Sequence, residues 1–206
     1  HTSTSETYGT ALYTPIDEKH PLQGQSPYSA SKIAADKLVE SYRLSFSLPT
    51  VTVRPFNTYG PRQSARAVIP TIISQALAGP EIKLGSLEPV RDLAFVTDTA
   101  AGFLAAAKAP SDADGQVFNL GTGSASSIGE LANTILELIG GEYRIVTEES
   151  RVRPSGSEVM CLLSDNSRAG DILGWSPQVT LEEGLSRTIE WMRENRGGYR
   201  PREYAV

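Results

Sequence analysis

Ser26-Pro-Tyr-Ser-Ala-Ser-Lys-Ile-Ala-Ala-Asp-Lys-Leu-Val-Glu-Ser-Tyr-Arg-Leu-Ser-Phe-Ser-Leu-Pro-Thr-Val-Thr-Val-Arg54 decides the fold class, because a helix-period segment runs straight into a β-branched one. Ile33, Ala34, Leu38 and Tyr42 recur at helical spacing, so a long helix is expected over residues 28 to about 44, entered at Ser26-Pro27. Pro49 cannot continue a helix, and Thr50-Val-Thr-Val-Arg54 behind it has the composition of a strand.

The same alternation extends outward. Upstream, residues 10–27 are rich in Pro, Gly and polar types and read as a loop, while His1-Thr-Ser-Thr-Ser5 reads as the end of a buried strand. Downstream, a loop over 55–61 leads to a helix over 67–78 that stops at Gly79-Pro80. Strands are expected over 81–84, 93–96, 116–120 and 143–147, with an Ala-rich helix over 98–108. Ser127-x-x-Glu130 and Thr180-x-x-Glu183 have the capping-box pattern and open helices that end near 139 and 195. Strands alternating with helices imply an α/β protein with a largely parallel sheet.

Composition narrows the function classes. The 206 residues are 39% hydrophobic and 21% charged, ordinary values for a globular protein. Asp and Glu outnumber Lys and Arg by 24 to 19, which argues against a broad nucleic-acid face but leaves local basic sites at Arg62/Arg66 and Arg151/Arg153. Cys161 is the sole cysteine, so no internal disulfide forms, and a reducing cytoplasm is the expected location. His1 and His20 are the only histidines and have no metal-ligand spacing. No apolar run approaches the ~20 residues that span a bilayer. No partnership with nucleic acid or membrane is therefore expected.

Two polar segments carry chemistry. Tyr28 and Lys32, four apart on a helix, share one face about a turn apart. An ammonium beside a phenol favours the phenolate, which turns tyrosine into a base near neutral pH. Such a pair is by itself most often a solvated helix face. Thr2-Ser-Thr-Ser-Glu-Thr-Tyr-Gly9 lies a loop upstream, at the C-terminal end of a strand, where ligands bind in open α/β sheets.

Together these segments resemble the extended short-chain dehydrogenases, the NAD-dependent epimerase/dehydratase family, which pair a Ser or Thr with Tyr-x-x-x-Lys. The resemblance continues through Arg54-Pro-Phe-Asn-Thr-Tyr-Gly-Pro-Arg62, Arg91-Asp-Leu-Ala-Phe-Val-Thr-Asp98, Phe118-Asn-Leu-Gly-Thr-Gly123, Arg153-Pro-Ser-Gly-Ser-Glu158 and Leu173-Gly-Trp-Ser-Pro177. It implies a catalytic set of Thr4, Ser5, Glu6, Tyr28 and Lys32. Thr4 would bond the sugar 4-hydroxyl, Tyr28 would take its proton, and Lys32 would hold the nicotinamide ribose and tune Tyr28. Pro55 would join Tyr28 and Lys32 in binding NAD. Asn57, Arg62, Arg66, Arg91 and Arg153 would contact the nucleotide sugar.

The resemblance also divides the chain. Residues 1–62 would form the C-terminal part of a Rossmann-like NAD-binding domain. Residues 63–206 would form mostly a smaller α/β substrate-binding domain, with some strands and helices (about 81–120) returning to the Rossmann-like sheet. The family's Gly-x-x-Gly-x-x-Gly turn is nowhere in the 206 residues. The expectation is therefore a chain without the dinucleotide-binding half, seen as a fragment or truncation. A homodimer through the Tyr28 helix is implied as well.

Ser5-Glu6 bears on the reaction, because dTDP-glucose dehydratases have Asp-Glu there. The stretch from Tyr59 to Pro70 most resembles UDP-N-acetylglucosamine 4,6-dehydratases of legionaminate-type synthesis. A 4,6-dehydratase on a UDP-sugar is thus the favoured expectation, with a 4-epimerase or UDP-glucuronate decarboxylase as alternatives. A non-catalytic remnant serving only binding or assembly is the alternative of another class.

Overall fold

The computed structural model describes residues 1–152, 158–195, 197 and 199. Its frame is set by β1 (Thr52–Pro55), which runs parallel to β5 (Val117–Leu120) with Val53 opposite Phe118. On the other side of β1, Thr2 bridges Val53 in parallel, with Ser3 N–H donating to Val53 O at 2.8 Å. Residues 1–3, β1 and β5 therefore lie side by side and aim their C-terminal ends the same way. Helices α3 (Val96–Ala107) and α5 (Ser167–Leu173) cover this layer over a core that includes Val53, Phe118, Leu120 and Trp175. Trp175 is structural: its indole N–H donates to Asp98 O at 2.9 Å.

A second sheet is built on β4 (Val90–Phe95), which pairs in parallel with β2 (Asn57–Tyr59) and β8 (Cys161–Leu162) and antiparallel with β6 (Ala125–Ser127). A third, two-stranded piece pairs β3 (Glu81–Leu84) in parallel with β7 (Arg144–Thr147). Helices α2 (Val68–Ala76), α4 (Ile128–Ile139) and α6 (Leu181–Glu194) pack on these strands around the largest apolar core, which includes Ile72, Ile73, Ile82, Leu131 and Ile135. Gly184 lets α6 approach, since a Cβ there would lie 2.2 Å from the Tyr59 hydroxyl oxygen. The mixed α/β architecture with parallel pairing agrees with the expected partial Rossmann-like fold.

Several elements depart from the expectation. Residues 55–61 are not one loop: β1 ends at Pro55 and β2 begins at Asn57. Phe56 is the pivot, with its ring buried and its N–H donating to Leu120 O at 2.9 Å, so the chain steps from one sheet to the next without a turn. Within 81–120, β5 alone pairs with β1, whereas β3 joins β7 and β4 joins β2. Ile82 and Leu84 of β3 point into the α2–α4 core. The Ser127/Glu130 capping box forms in full. At the second, Glu183 N–H donates to Thr180 Oγ1 at 3.2 Å, but the Glu183 carboxylate pairs with Arg187 instead of returning to the cap.

The long helix α1 (Pro27–Phe46) starts at a reciprocal cap between Ser26 and Ser29. It buries only Ser29 and Asp36 and leaves Leu38, Tyr42 and Phe46 exposed at 59%, 49% and 71%. It packs against the Ser5–Tyr8 turn, and its first turn brings Tyr28 to the same cavity as Glu6.

Candidate active site

Residues 5–8 leave the strand-like start as a single 3-10 turn, Ser5–Tyr8, that Thr4 caps. Thr4 Oγ1 accepts from Glu6 N–H at 3.3 Å, and Thr7 Oγ1 donates to Thr4 O at 2.8 Å. Gly9 closes the turn at φ 64°, a value that suits glycine. Ser5 is thereby buried, while Glu6 reaches a cavity of about 710 Å³. Tyr28, half exposed at the first turn of α1, lines the same cavity. Lys32, one turn on, donates from Nζ to Thr2 O at 3.0 Å and so ties α1 to the segment that leads into the turn.

The rest of the lining comes from the sheet built on β4. Asn57 enters from β2, Arg66 from the segment before α2, Lys83 from β3 and Arg91 from β4. Arg151 and Glu158 complete the charged lining. Arg91 Nη2 donates to Glu158 Oε1 at 2.9 Å, and both side chains are largely buried. Arg151 donates from Nε to Glu148, and that hydrogen bond holds the Glu148 carboxyl below its ordinary range. Four cationic and two anionic side chains thus face a cavity of ligand-binding size, in a protein whose net charge is −5.

Two acceptors add to this. The buried oxygens of Asn57 (Oδ1) and Gln63 (Oε1) find no donor among the described residues. Gln63 Nε2 donates to Thr58 O at 2.9 Å, which fixes which end of that amide is the acceptor. Unmet buried acceptors are costly, and a ligand bearing hydroxyl or N–H groups would satisfy them. The chemistry available is therefore a carboxylate and a phenol at a polar, cation-rich cavity.

Of the expected site residues, Glu6, Tyr28, Asn57, Arg66 and Arg91 come together on this cavity. Thr4, Ser5, Lys32 and Pro55 stand behind or beside it, and Arg62 is exposed at φ 68°, outside the lining. Arg153 lies outside the described residues. Sequence reasoning did not assign Gln63, Lys83, Arg151 or Glu158. Arg151 was visible as half of an Arg pair, and Glu158 as the end of a motif. Lys83 had a signal in the alternation of β3, since it must face opposite to Ile82 and Leu84. No group of His, Cys, Asp and Glu that could hold a metal ion occurs among the described residues.

Comparison with known proteins supports the resemblance. The family described as GDP-mannose 4,6 dehydratase matches residues 1–188. The human dTDP-D-glucose 4,6-dehydratase is 34% identical over 201 residues, covering 95% of this chain and 56% of that protein. A UDP-glucose 4-epimerase of Mycolicibacterium smegmatis is 36% identical over 198 residues, covering 94% and 61%. The crystal structure of a dTDP-glucose 4,6-dehydratase from Bacillus anthracis, in complex with NAD, superposes with a TM-score of 0.84 at 28% identity, covering 97% of this chain and 63% of that one. The chain spans less than two thirds of the length of each. On the match over residues 1–188 and these identities, the chain belongs to the NAD-dependent nucleotide-sugar epimerase/dehydratase family.

Proposed function

We propose that this chain carries the catalytic turn and the nucleotide-sugar site of an NAD-dependent 4,6-dehydratase acting on a UDP-sugar such as UDP-N-acetylglucosamine. The observation that carries the reading is the meeting of Glu6 and Tyr28 on one cavity lined by four cations. In this reading residues 1–62 complete an NAD-binding domain and residues 63–206 mostly hold the substrate, in the cytoplasm. The exposed apolar face of α1 meets a second copy of the chain.

The residues present fit one end of the cofactor. Tyr28 and Lys32 share a face of α1, which suits a nicotinamide ribose, and the family motif assigns Pro55 at the end of β1 to the same group. No glycine-rich turn for the pyrophosphate occurs in the 206 residues. Held by Tyr28, Lys32 and Pro55, NAD would supply the hydride acceptor for C4 and, once reduced, the hydride donor for C6. Tyr28 removes the 4-hydroxyl proton, assisted by the Thr4 hydroxyl. The C4 ketone acidifies the C5 hydrogen, which Glu6 takes as a proton. The same carboxyl then protonates the C6 hydroxyl, which departs as water as the C5–C6 double bond forms; hydride addition at C6 would return the electron pair to C5, which takes a proton from solvent. Ser5 offers no second acid, so Glu6 serves both steps. Arg66, Lys83, Arg91 and Arg151 pair with the diphosphate, with Arg153 assigned to the same task by its motif, and Asn57 accepts from the nucleotide sugar. Arg62, like Thr4, Ser5, Lys32 and Pro55, lies outside the cavity lining.

A 4-epimerase is the second reading, favoured by the absence of a carboxylate at Ser5. Glu6→Gln in the full-length protein separates the two. A dehydratase should lose water release and deuterium uptake at C5 while still oxidising C4. Dehydration that survives the substitution would overturn the role of Glu6.

A further inference from the structure

Behind the Thr4–Glu6 turn runs a buried polar chain that no step above uses. Asp36 lies on α1 two turns beyond Tyr28, on the face that also carries Lys32. Its Oδ2 accepts from Ser3 Oγ at 2.9 Å and from Arg54 Nη2 at 2.8 Å. Arg54, on β1, donates from Nη1 to the Tyr8 hydroxyl at 3.0 Å, and its guanidinium stands 4.9 Å from the Tyr8 ring centre. The Tyr8 hydroxyl donates in turn to Asn119 Oδ1 on β5 at 2.7 Å. Ser3, Asp36, Arg54, Tyr8 and Asn119 are each no more than 8% exposed, and none lines the cavity.

The arrangement has a consequence for the site. Ser3 and Tyr8 are the residues that flank Thr4–Thr7, so the turn is held at both ends. The charged pair Asp36–Arg54 joins those two ends, and Asp36 sits on the helix that presents Tyr28. We infer that Asp36 and Arg54 are positioning residues, which fix the Thr4–Glu6 turn in register with Tyr28 without touching substrate. The inference rests on the catalytic reading of Glu6 and Tyr28 given above. A planar guanidinium suits the task because it reaches two partners in different directions at fixed angles, which a single ammonium cannot.

The test uses the full-length holoenzyme turning over a UDP-sugar. Asp36→Asn keeps the shape but removes the charge, and Tyr8→Phe cuts the chain between Arg54 and Asn119 while sparing the ion pair. A slipped turn costs rate rather than affinity, so kcat should fall by roughly ten- to a hundredfold in Asp36→Asn, with KM within about twofold of wild type. Tyr8→Phe should show the same split with a smaller fall, and it decides the matter if Asp36→Asn does not fold. Wild-type kcat in folded Tyr8→Phe or folded Asp36→Asn, or a loss confined to KM, overturns the positioning role. A wild-type protein without turnover overturns instead the catalytic reading beneath it.

Discussion

Asp92 brackets three segments, and replacing it with Asn should loosen the sheet beneath the cavity. Its Oδ1 accepts from the Thr122 N–H and the Thr122 hydroxyl, each at 2.7 Å. Its Oδ2 accepts from Gly123 N–H at 3.0 Å and Ser164 N–H at 3.1 Å. The side chain is fully buried, and Gly121 lies so close that a Cβ there would meet Asp92 Oδ2 at 2.7 Å. An Asn keeps one of the two oxygens and turns the other into a donor. With its nitrogen on the Thr122 side, the Thr122 hydroxyl turns to Ser124 O, 2.9 Å away, and the Thr122 N–H alone is stranded. A stranded buried donor costs about 1–3 kcal/mol.

Part of that cost is returned. Burial pushes the Asp92 carboxyl above its ordinary value despite four hydrogen bonds, and a neutral amide escapes that desolvation. The net loss should therefore fall in the lower half of the range, about 1–2 kcal/mol, read from urea unfolding midpoints at unchanged slope. The pH dependence gives a second reading. With its folded value raised, Asp92 binds a proton that the unfolded chain releases, so its contribution to stability falls as pH rises through that value. Asp92→Asn should lack this part of the slope. A variant within about 0.5 kcal/mol of wild type would refute the bracket, because that is the scatter of surface substitutions.

Two other predictions concern packing and titration. Gly184→Ala should destabilise by about 1–3 kcal/mol, although alanine favours a helix by about 1 kcal/mol, because its Cβ would strike Tyr59 and Phe95. A raised melting temperature would show that α6 has room to move. The Tyr8 hydroxyl, pushed up to about 12 by burial, keeps its proton where an unfolded tyrosine loses it near 10. Stability should therefore decline by about 3 kcal/mol across that interval, and Tyr8→Phe should remove that share of the decline, with buried Tyr59 supplying a further share. An alkaline slope identical in Tyr8→Phe would contradict this account.

The α/β class and the long helix were legible because Ile33, Leu38 and the β-branched run after Pro49 are local signals. The junction at Phe56 was not, since a chain that changes sheets in one residue leaves no turn composition to read. Short β8, with two residues, offers no period at all. The location of β3 was obscured for a different reason: alternation tells which side chains are buried, not against which partner. The site followed the same division. Glu6, Tyr28, Asn57, Arg66 and Arg91 stood in motifs and converge on the cavity, whereas the alternation of β3 gives the face of Lys83 but not the cavity it lines. Asp36 and Arg54 were invisible as a pair, because a charge on a helix and a charge on a strand, 18 residues apart, declare no contact in sequence.

The central claim is most directly tested by incubating the full-length protein with NAD and UDP-N-acetylglucosamine and following formation of the 4-keto-6-deoxy sugar, for wild type and for Tyr28→Phe. The account predicts product with wild type and a loss of roughly 10²–10⁴-fold in kcat when the phenol is removed. Turnover by Tyr28→Phe at the wild-type rate would contradict it, as would a wild-type protein that leaves the nucleotide sugar unchanged.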